Sequence, residues 1–481
     1  MTTNDTICAI STPHGTGGIA VVRVSGPDAI HIVNKIWQAP KPLTDARSHT
    51  THLGNIIDPS DLPTNPPLDQ ALATVFRAPT SFTGENVVEI SVHGSIYIQQ
   101  QLLNILISQG CRLAEPGEFT RRAFVAGNLD LAQAEAIADV IAAKSRAAHR
   151  IAANQMRGKY SSQLGSLREQ LLETASLLEL ELDFSEEDVE FASRQHIRQL
   201  AGGIKNEINR LLGSFTAGNA IKDGIPVAII GPTNAGKSSL LNAIVGDDRA
   251  IVSNIHGTTR DTIEETININ DFSFRFIDTA GLRQTSDVIE QHGIDRSRRA
   301  ISAARIVIAV ADVTTATTAT IDNLIDTTRQ AASTPPYLIL LLNKTDIASP
   351  PAALLNHVNK CAKTATDFPA IYTIQASSKT GDGIERHDNR ISLNNILTDI
   401  ANAEYATGND GILVTNTRHI QALTAASTSV DRVIDSLDAN LTGDLIAQDI
   451  RETINHLAAI TGDIPSTQIL ATIFSRFCIG K

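Results

Sequence analysis

The segment Gly231-Pro-Thr-Asn-Ala-Gly-Lys-Ser238 fits GxxxxGK[ST] and stands between the aliphatic run PVAII and the helix-like SSLLNAIVG. In that setting successive backbone N–H groups line one concavity at a helix N-terminus, where they cradle phosphates. Asn234, Ala235, Gly236, Lys237, Ser238 and Ser239 make the cradle. The Lys237 ammonium reaches the β- and γ-phosphates, and the Ser238 hydroxyl ligates Mg2+.

Four further patterns follow in a fixed order. His256-Gly-Thr-Thr-Arg-Asp supplies hydroxyls, with Thr259 placed to close onto Mg2+ and the γ-phosphate as a first switch. Asp278-Thr-Ala-Gly281 ends the run FRFID, so Asp278 fits the metal-supporting carboxylate and the Gly281 N–H a γ-phosphate sensor. Asn343-Lys-Thr-Asp346 ends YLILLL; the Asp346 carboxylate would accept from guanine N1–H and its exocyclic amine, which adenine cannot offer. Ser377-Ser378-Lys379 follows IYTIQA and offers a backbone N–H to guanine O6. This order points to GTP.

Hydrolysis needs an attacking water held in line. The glutamine that does this in Ras-type proteins would follow DxxG, but Leu282 stands there. Asn234 offers a side-chain carbonyl for a monovalent cation beside the phosphates. Arg283 reads either as an arginine finger or as an exposed switch residue, and Asp287 and Glu290 either as water-positioning carboxylates or as a solvated charge run.

These residues need a parallel sheet with helices on both faces. Pro226 to Ile230, Arg305 to Ala311, Tyr337 to Leu342 and Ile371 to Ile374 are continuous aliphatic runs of the kind buried on both faces. Upstream, Gly18 to Val24 and Val87 to Val92 read as strands of a small α+β domain, with an exposed proline-rich loop from Asp58 to Pro67. From Leu129 the chain turns Ala-, Leu- and Glu-rich. Ile137, Val140 and Ile141, and then Leu164, Leu167 and Leu171, recur at helical spacing. Ile446, Ile450, Ile454, Leu457 and Ile460 repeat that pattern near the end, so two separated helical segments are expected to share one bundle. The threonine-rich stretch Thr314 to Thr320 reads as a loop. The expected division is 1–125, an α+β domain; 126–223, helical; 224–384, an inserted α/β nucleotide domain; and 385–481, helical again.

The chain has 481 residues and a net charge of -12, which argues against a protein that coats nucleic acid through a basic face. Its four cysteines form no CxxC pair and suggest neither a zinc site nor a disulfide framework. Neither a leader pattern nor an apolar run of the ~18 residues that span a bilayer is evident. A cytoplasmic protein is expected.

The ends of the chain add a resemblance. SFTGE (81–85), PGEFTRRAF (116–124), LDLAQAEAIADVI (129–141), GPTNAGKSSLLN, DTAGLR and the terminal FCIGK (477–481) resemble the MnmE (TrmE) family of bacterial tRNA-modification GTPases, over essentially the whole chain. The resemblance implies an N-terminal tetrahydrofolate-binding and dimerisation domain, a helical domain and an inserted G domain. It implies a homodimer acting with the FAD-dependent partner MnmG on tRNA, with FAD held only by the partner. The product would carry an aminomethyl or carboxymethylaminomethyl group at C5 of the wobble uridine, its carbon drawn from 5-formyl- or methylene-tetrahydrofolate.

For individual residues, the resemblance assigns K+ to Asn234 and to the backbone at Ser253, Ile255 and Thr258, and Mg2+ to Ser238 and Thr259. It adds Asn254, His256, Gly257, Thr279 and Ala280 to the GTP contacts, and it favours Glu290, beside Lys237, as the catalytic carboxylate. Folate would lie against Arg23, Glu89, Asn128 and Lys481, with Cys478 near the one-carbon unit. Asn128 departs from the Lys or Arg that many members carry, which removes one charge-assisted contact. The rival reading is a regulatory GTPase switch in RNA or ribosome maturation, without modification chemistry of its own.

Overall fold

The computed structural model describes residues 5–60, 65–183, 193–249, 264–277, 290–385, 391–405 and 412–462, and, near the end, 470, 473, 474, 477 and 480. These fall into two compact units, one of residues 1–138, 154–205 and 422–481, the other of 139–153 and 206–421.

The first unit contains a seven-stranded sheet in the order β3-β4-β5-β6-β2-β1-β7. The strands are β1 (Ile7–Ile10), β2 (Ile19–Ser25), β3 (Trp37–Gln38), β4 (Thr50–Ile56), β5 (Asp69–Phe76), β6 (Val87–His93) and β7 (Arg112–Leu113). All neighbours are antiparallel except β1 and β7. The two-residue period is plain in β2: Ala20, Val22 and Val24 enter the core, while Val21 and Arg23 take the other face. Helices Ala29–Lys35 and Ile96–Ser108 cover the buried face through Ile30, Val33, Leu102 and Leu106.

The same unit holds the two long helices Lys159–Asp183 and Gly443–Thr461, which pack together. Leu164, Leu167 and Leu171 are buried on the first, and Ile446, Ile450, Ile454, Leu457 and Ile460 on the second. This is the pairing that the two stripes predict. Helix Leu131–Ala142 differs from expectation, because its buried residues are Leu131, Ala132, Ala134 and Ala136, while Ile141 is exposed. The reason is steric. Phe474, with Phe124 and Phe477 around it, packs on Leu131 and Ala134, and alanine leaves room for the rings.

The second unit is built on a six-stranded sheet in the order β13-β12-β11-β8-β10-β9. Its strands are β8 (Ile225–Ile230), β9 (Glu265–Ile269), β10 (Phe272–Phe276), β11 (Ile306–Asp312), β12 (Tyr337–Asn343) and β13 (Ile371–Gln375). Only β9 is antiparallel to its neighbour. Ile306, Ile308, Val310, Ile339 and Leu341 face one core with helix Leu393–Tyr405. Val307, Ala309, Ala311, Leu338 and Leu340 face the other, with helices Glu290–Ala303, Thr318–Ala331 and Ala352–Thr364. Burial on both faces explains why these strands are apolar without alternation. The threonine stretch is only partly a loop: Thr317 caps helix Thr318–Ala331, and Thr317 and Thr320 satisfy each other's backbone N–H. Among the described residues, no helix is long and apolar enough to cross a membrane.

Candidate functional site

Parallel pairing aligns Asp312 with Asn343 and Leu342 with Gln375, and sets Ala309 beside Ile230. The loops after β8, β11, β12 and β13 therefore leave one edge of the sheet, the edge at which open α/β sheets bind ligands. The first of these loops carries the phosphate cradle. Asn234 adopts the left-handed conformation (φ 63°) and is exposed, and helix Lys237–Arg249 begins directly after Gly236, placing Ser238 and Ser239 in its first turn. The Lys237 Nζ donates to the carbonyls of Gly231 and Pro232, at 2.8 Å each. Two of its three donors thus fix the ammonium over the loop. Burial lowers its pKa, a penalty that an anion beside it would relieve.

Asn343 ties this loop to the two base-recognition motifs. Its side chain is buried; Nδ2 donates to the Ala235 carbonyl at 2.8 Å, while Oδ1 accepts from the Ser378 N–H and hydroxyl, both at 2.9 Å. One amide thus joins the phosphate loop, Asn343-Lys-Thr-Asp346 and Ser377-Ser378-Lys379. Gly236 shows how tight the join is. Its φ is +95°, and a Cβ there would stand 2.2 Å from Asn343 Nδ2. The exposed Asp346 accepts from the Ser377 hydroxyl at 2.7 Å, which orients its carboxylate, and Lys379 is exposed.

Asp312 escaped the sequence reading. It accepts from the Lys344 Nζ at 2.6 Å and from the Thr314 N–H and hydroxyl. Burial would raise its pKa, but these contacts more than offset that and leave it below the usual value. The available signal was an aspartate at the C-terminal end of a strand adjacent to that of Asn343.

Several candidate residues lie outside the described ones: Ser253 to Thr259, Asp278 to Gly281, Leu282, Arg283, Asp287, Cys478 and Lys481. Glu290 begins helix Glu290–Ala303, and its side chain is likewise outside the description.

On the first unit's sheet, Arg23 and Glu89 are direct cross-strand partners. The guanidinium donates Nε and Nη2 to Glu89 Oε1 at 2.9 and 2.7 Å, and lies 5.6 Å from the ring centres of both Phe82 and Phe119. Asn128 does not touch this pair. Its Nδ2 donates to the carbonyls of Ser81 and Phe82 at 3.2 Å each, and so holds the turn that carries Phe82. Gly480 sits on the end of β1, where the Ser11 hydroxyl donates to its carbonyl at 3.1 Å and a Cβ would meet the Ile10 carbonyl at 2.2 Å. Because Ala9 pairs with Arg23, Gly480 lies against the strand next to that of Arg23.

Around this region runs an ion-pair network that was missed in the sequence, although Glu85, Glu118 and Arg122 fall in the motifs quoted above. Arg122 contacts Asp5 at 2.7 Å, and Glu118 and Glu85 at 3.1 Å; Arg112 contacts Glu118 at 2.6 Å and Asp5 at 2.7 Å. Arg122 and Glu118 are almost fully buried. Burial would raise the Glu118 pKa, yet the arginines and the Glu115 N–H hold it below the ordinary carboxylate value. The network anchors helix Glu118–Val125, which supplies Phe119 as a wall for Arg23.

Comparison with known proteins agrees with this layout. Residues 6–128 match the family model of the GTP-binding protein TrmE N-terminus, and residues 131–478 that of the MnmE helical domain. The tRNA modification GTPase MnmE of Parabacteroides distasonis is 49% identical over 487 residues, covering 99% of this chain and 100% of that one. The protein of the same description from Bacteroides thetaiotaomicron is 47% identical over 484 residues, 99% of each. Matched in both segments and aligned from end to end with such relatives, the chain belongs to the MnmE family of tRNA modification GTPases.

Proposed function

We propose that this chain is a potassium-dependent GTPase. With an FAD-dependent partner of the MnmG type, it adds a carboxymethylaminomethyl or aminomethyl group at C5 of the wobble uridine of certain tRNAs, using a tetrahydrofolate one-carbon unit. The observation that carries the GTPase reading is the Asn343 amide, which ties the phosphate loop and both base motifs together through three hydrogen bonds. Preorganised donors are what phosphoryl transfer requires of a protein.

In this reading Lys237 and the N–H groups of the loop bind the β- and γ-phosphates. Ser238 and Thr259 would hold Mg2+; Asn234, with the backbone at Ser253, Ile255 and Thr258, would hold K+. The exposed carbonyl of Asn234 suits a weakly hydrated monovalent ion. When bound, the two cations supply positive charge against the phosphoryl oxygens, the contribution an arginine finger makes elsewhere. Glu290 orients the attacking water, replacing the glutamine that Leu282 excludes. Arg23 and Glu89, walled by Phe82 and Phe119, are chemically suited to a pterin and its carboxylate-bearing tail. The net charge of -12 favours a partner that supplies most tRNA contacts.

The test is steady-state GTP hydrolysis in matched KCl and NaCl with Mg2+. Potassium should accelerate turnover by more than about tenfold, or ~1.4 kcal/mol of barrier, and Glu290→Ala should abolish turnover while sparing GTP affinity. Equal rates in the two salts would rule out the cation at Asn234 and favour a switch awaiting an external activator. Tight binding of tRNA by this chain alone would overturn the division of labour with the partner.

A further inference from the structure

The second unit carries a cluster that the nucleotide site does not use. His357 and Cys361 lie one turn apart on helix Ala352–Thr364, and Asp322 faces them from helix Thr318–Ala331. His357 Nε2 is 2.7 Å from Asp322 Oδ1 and 3.7 Å from Cys361 Sγ, and the three ligand atoms lie within 4.8 Å of one another. The two helices share one core: Ile321, Leu324 and Ile325 anchor the first, and Leu354 and Val358 the second. Asp322 is exposed, while His357 and Cys361 are half-buried, so an ion has access from solvent.

We propose that Asp322, His357 and Cys361 form a binding site for a borderline divalent transition ion, Zn2+ being the natural occupant, with water as the fourth ligand. Imidazole, thiolate and carboxylate are the zinc donors, and an i, i+4 pair on a helix completed by a neighbouring element is a recurrent way to present them. Tetrahedral bond lengths require an N···S edge of ~3.5 Å and an N···O edge of ~3.3 Å. The first is already met. The second needs an opening of about 0.6 Å, and the O···S edge, now within 4.8 Å, a closing toward ~3.6 Å, both made by χ rotation of the exposed Asp322. Cys361 is not part of a CxxC pair, and so it carried no metal signal in the sequence; the helical spacing to His357 gains meaning only once Asp322 is brought across from the next helix. Burial, and then the Asp322 carboxylate, push the Cys361 thiol up, and a dication between the two would reverse the second effect. The bound ion would clamp together two of the helices that cover the sheet.

The experiment is a titration of the reduced, tag-free full-length chain with Co2+, with Mg2+ and GDP in excess so that the nucleotide site holds its own ion. The expected result is one equivalent bound, with a thiolate-to-cobalt charge-transfer band in the near ultraviolet that Zn2+ displaces. Cys361→Ser should abolish the band. His357→Ala should weaken binding by more than about a hundredfold and Asp322→Asn by at least about tenfold, costs at or above those of removing a metal's outer partners. GDP affinity in each variant reports that the unit is folded. Absence of the band, or a band that survives in Cys361→Ser, overturns the assignment, the latter because the ion then sits on another thiol. Should Cys361→Ser fail to fold, His357→Ala, which keeps the thiol, decides: wild-type Co2+ affinity there also overturns it.

Discussion

The nucleotide site and the Arg23 site are held by different physics. At the sheet edge of the second unit, the phosphate loop is joined to the base motifs by the neutral hydrogen bonds of the Asn343 amide, with a single ion pair, Lys344–Asp312, described beside it. On the first unit's sheet, the walls around Arg23 rest on charge: Asp5, Glu85, Arg112, Glu118 and Arg122 converge from separate segments, with Arg122 almost without solvent. A neutral brace tolerates changes of pH and salt, and it fixes the phosphate loop against the base motifs. A buried ionic network is costly to desolvate and fails as a unit when one member is lost. The two sites should therefore break independently, and by different agents.

The largest effect should come from Arg122→Ala. Removing one partner of a buried ion pair costs about 3–5 kcal/mol; here Glu85 loses its arginine and the buried Glu118 keeps only Arg112 and the more distant Arg121. Trp37, the chain's single tryptophan, is buried in the first unit and reports on it alone. Its unfolding midpoint in urea should fall sharply while GDP affinity stays within about twofold, a change of ~0.4 kcal/mol. A parallel collapse of GDP binding would mean that the two sites are not independent. Next in size is Asn343→Ala, which orphans the Ala235 carbonyl and the Ser378 N–H. At about 1–3 kcal/mol for buried polar groups left unpaired, GDP affinity should drop roughly ten- to a hundredfold, with the Trp37 transition unmoved. Calorimetric titration checks the first and fluorescence the second.

This contrast also explains what could be read from the sequence. The phosphate loop, Asn343 to Asp346 and Ser377 to Lys379 are contiguous motifs whose chemistry is local, and the aliphatic runs beside them announce a sheet buried on both faces; fold class and strand positions were both legible. The brace itself was not, because Asn343 reaches the carbonyl of Ala235, 108 positions away. The ionic network was still less visible: SFTGE and PGEFTRRAF mark the family, but nothing in their spacing says that Arg122 meets both Glu85 and Asp5. The stripe at Ile137, Val140 and Ile141 misled because periodicity weighs large aliphatic residues, whereas the buried face of that helix is chosen by what must fit under Phe474, and alanine fits.

Acid should separate the two regions further. Burial would raise the pKa values of Asp5 and Glu118, but their arginine partners dominate, so both titrate below their ordinary values of 3.8 and 4.5. Depressed carboxylates stabilise the fold above the unfolded values, and that contribution is lost as pH falls through the folded ones. The Trp37 transition should therefore weaken progressively below about pH 4, with little dependence between pH 5 and 7. Asp312 is depressed in the same sense and should show a smaller effect of the same sign in the second unit, since it is one carboxylate against two. Stability of the first unit that is flat down to pH 3 would remove charge as its distinguishing support.

The smallest effect is expected at Asn128, and it addresses most directly how the Arg23 site works. If Asn128 touched the ligand, losing its amide would remove a binding contact. Its Nδ2 holds the Ser81 and Phe82 carbonyls, and Phe82 is one of the two rings flanking Arg23, so the role proposed for it is one relayed through the turn. Two long, exposed hydrogen bonds lie at the weak end of the 0.5–1.5 kcal/mol range, so Asn128→Ala should lower affinity for 5-formyl-tetrahydrofolate by only about threefold. Asn128→Lys keeps a donor for the same carbonyls and adds a charge that can seek the ligand's carboxylates, and should bind at least as tightly as the wild type. Arg23→Ala should remove binding altogether, since it takes away the one cation that the turn exists to frame. If Asn128→Ala matched Arg23→Ala, the residue would have to be a direct contact, and the relay through Phe82 would be wrong.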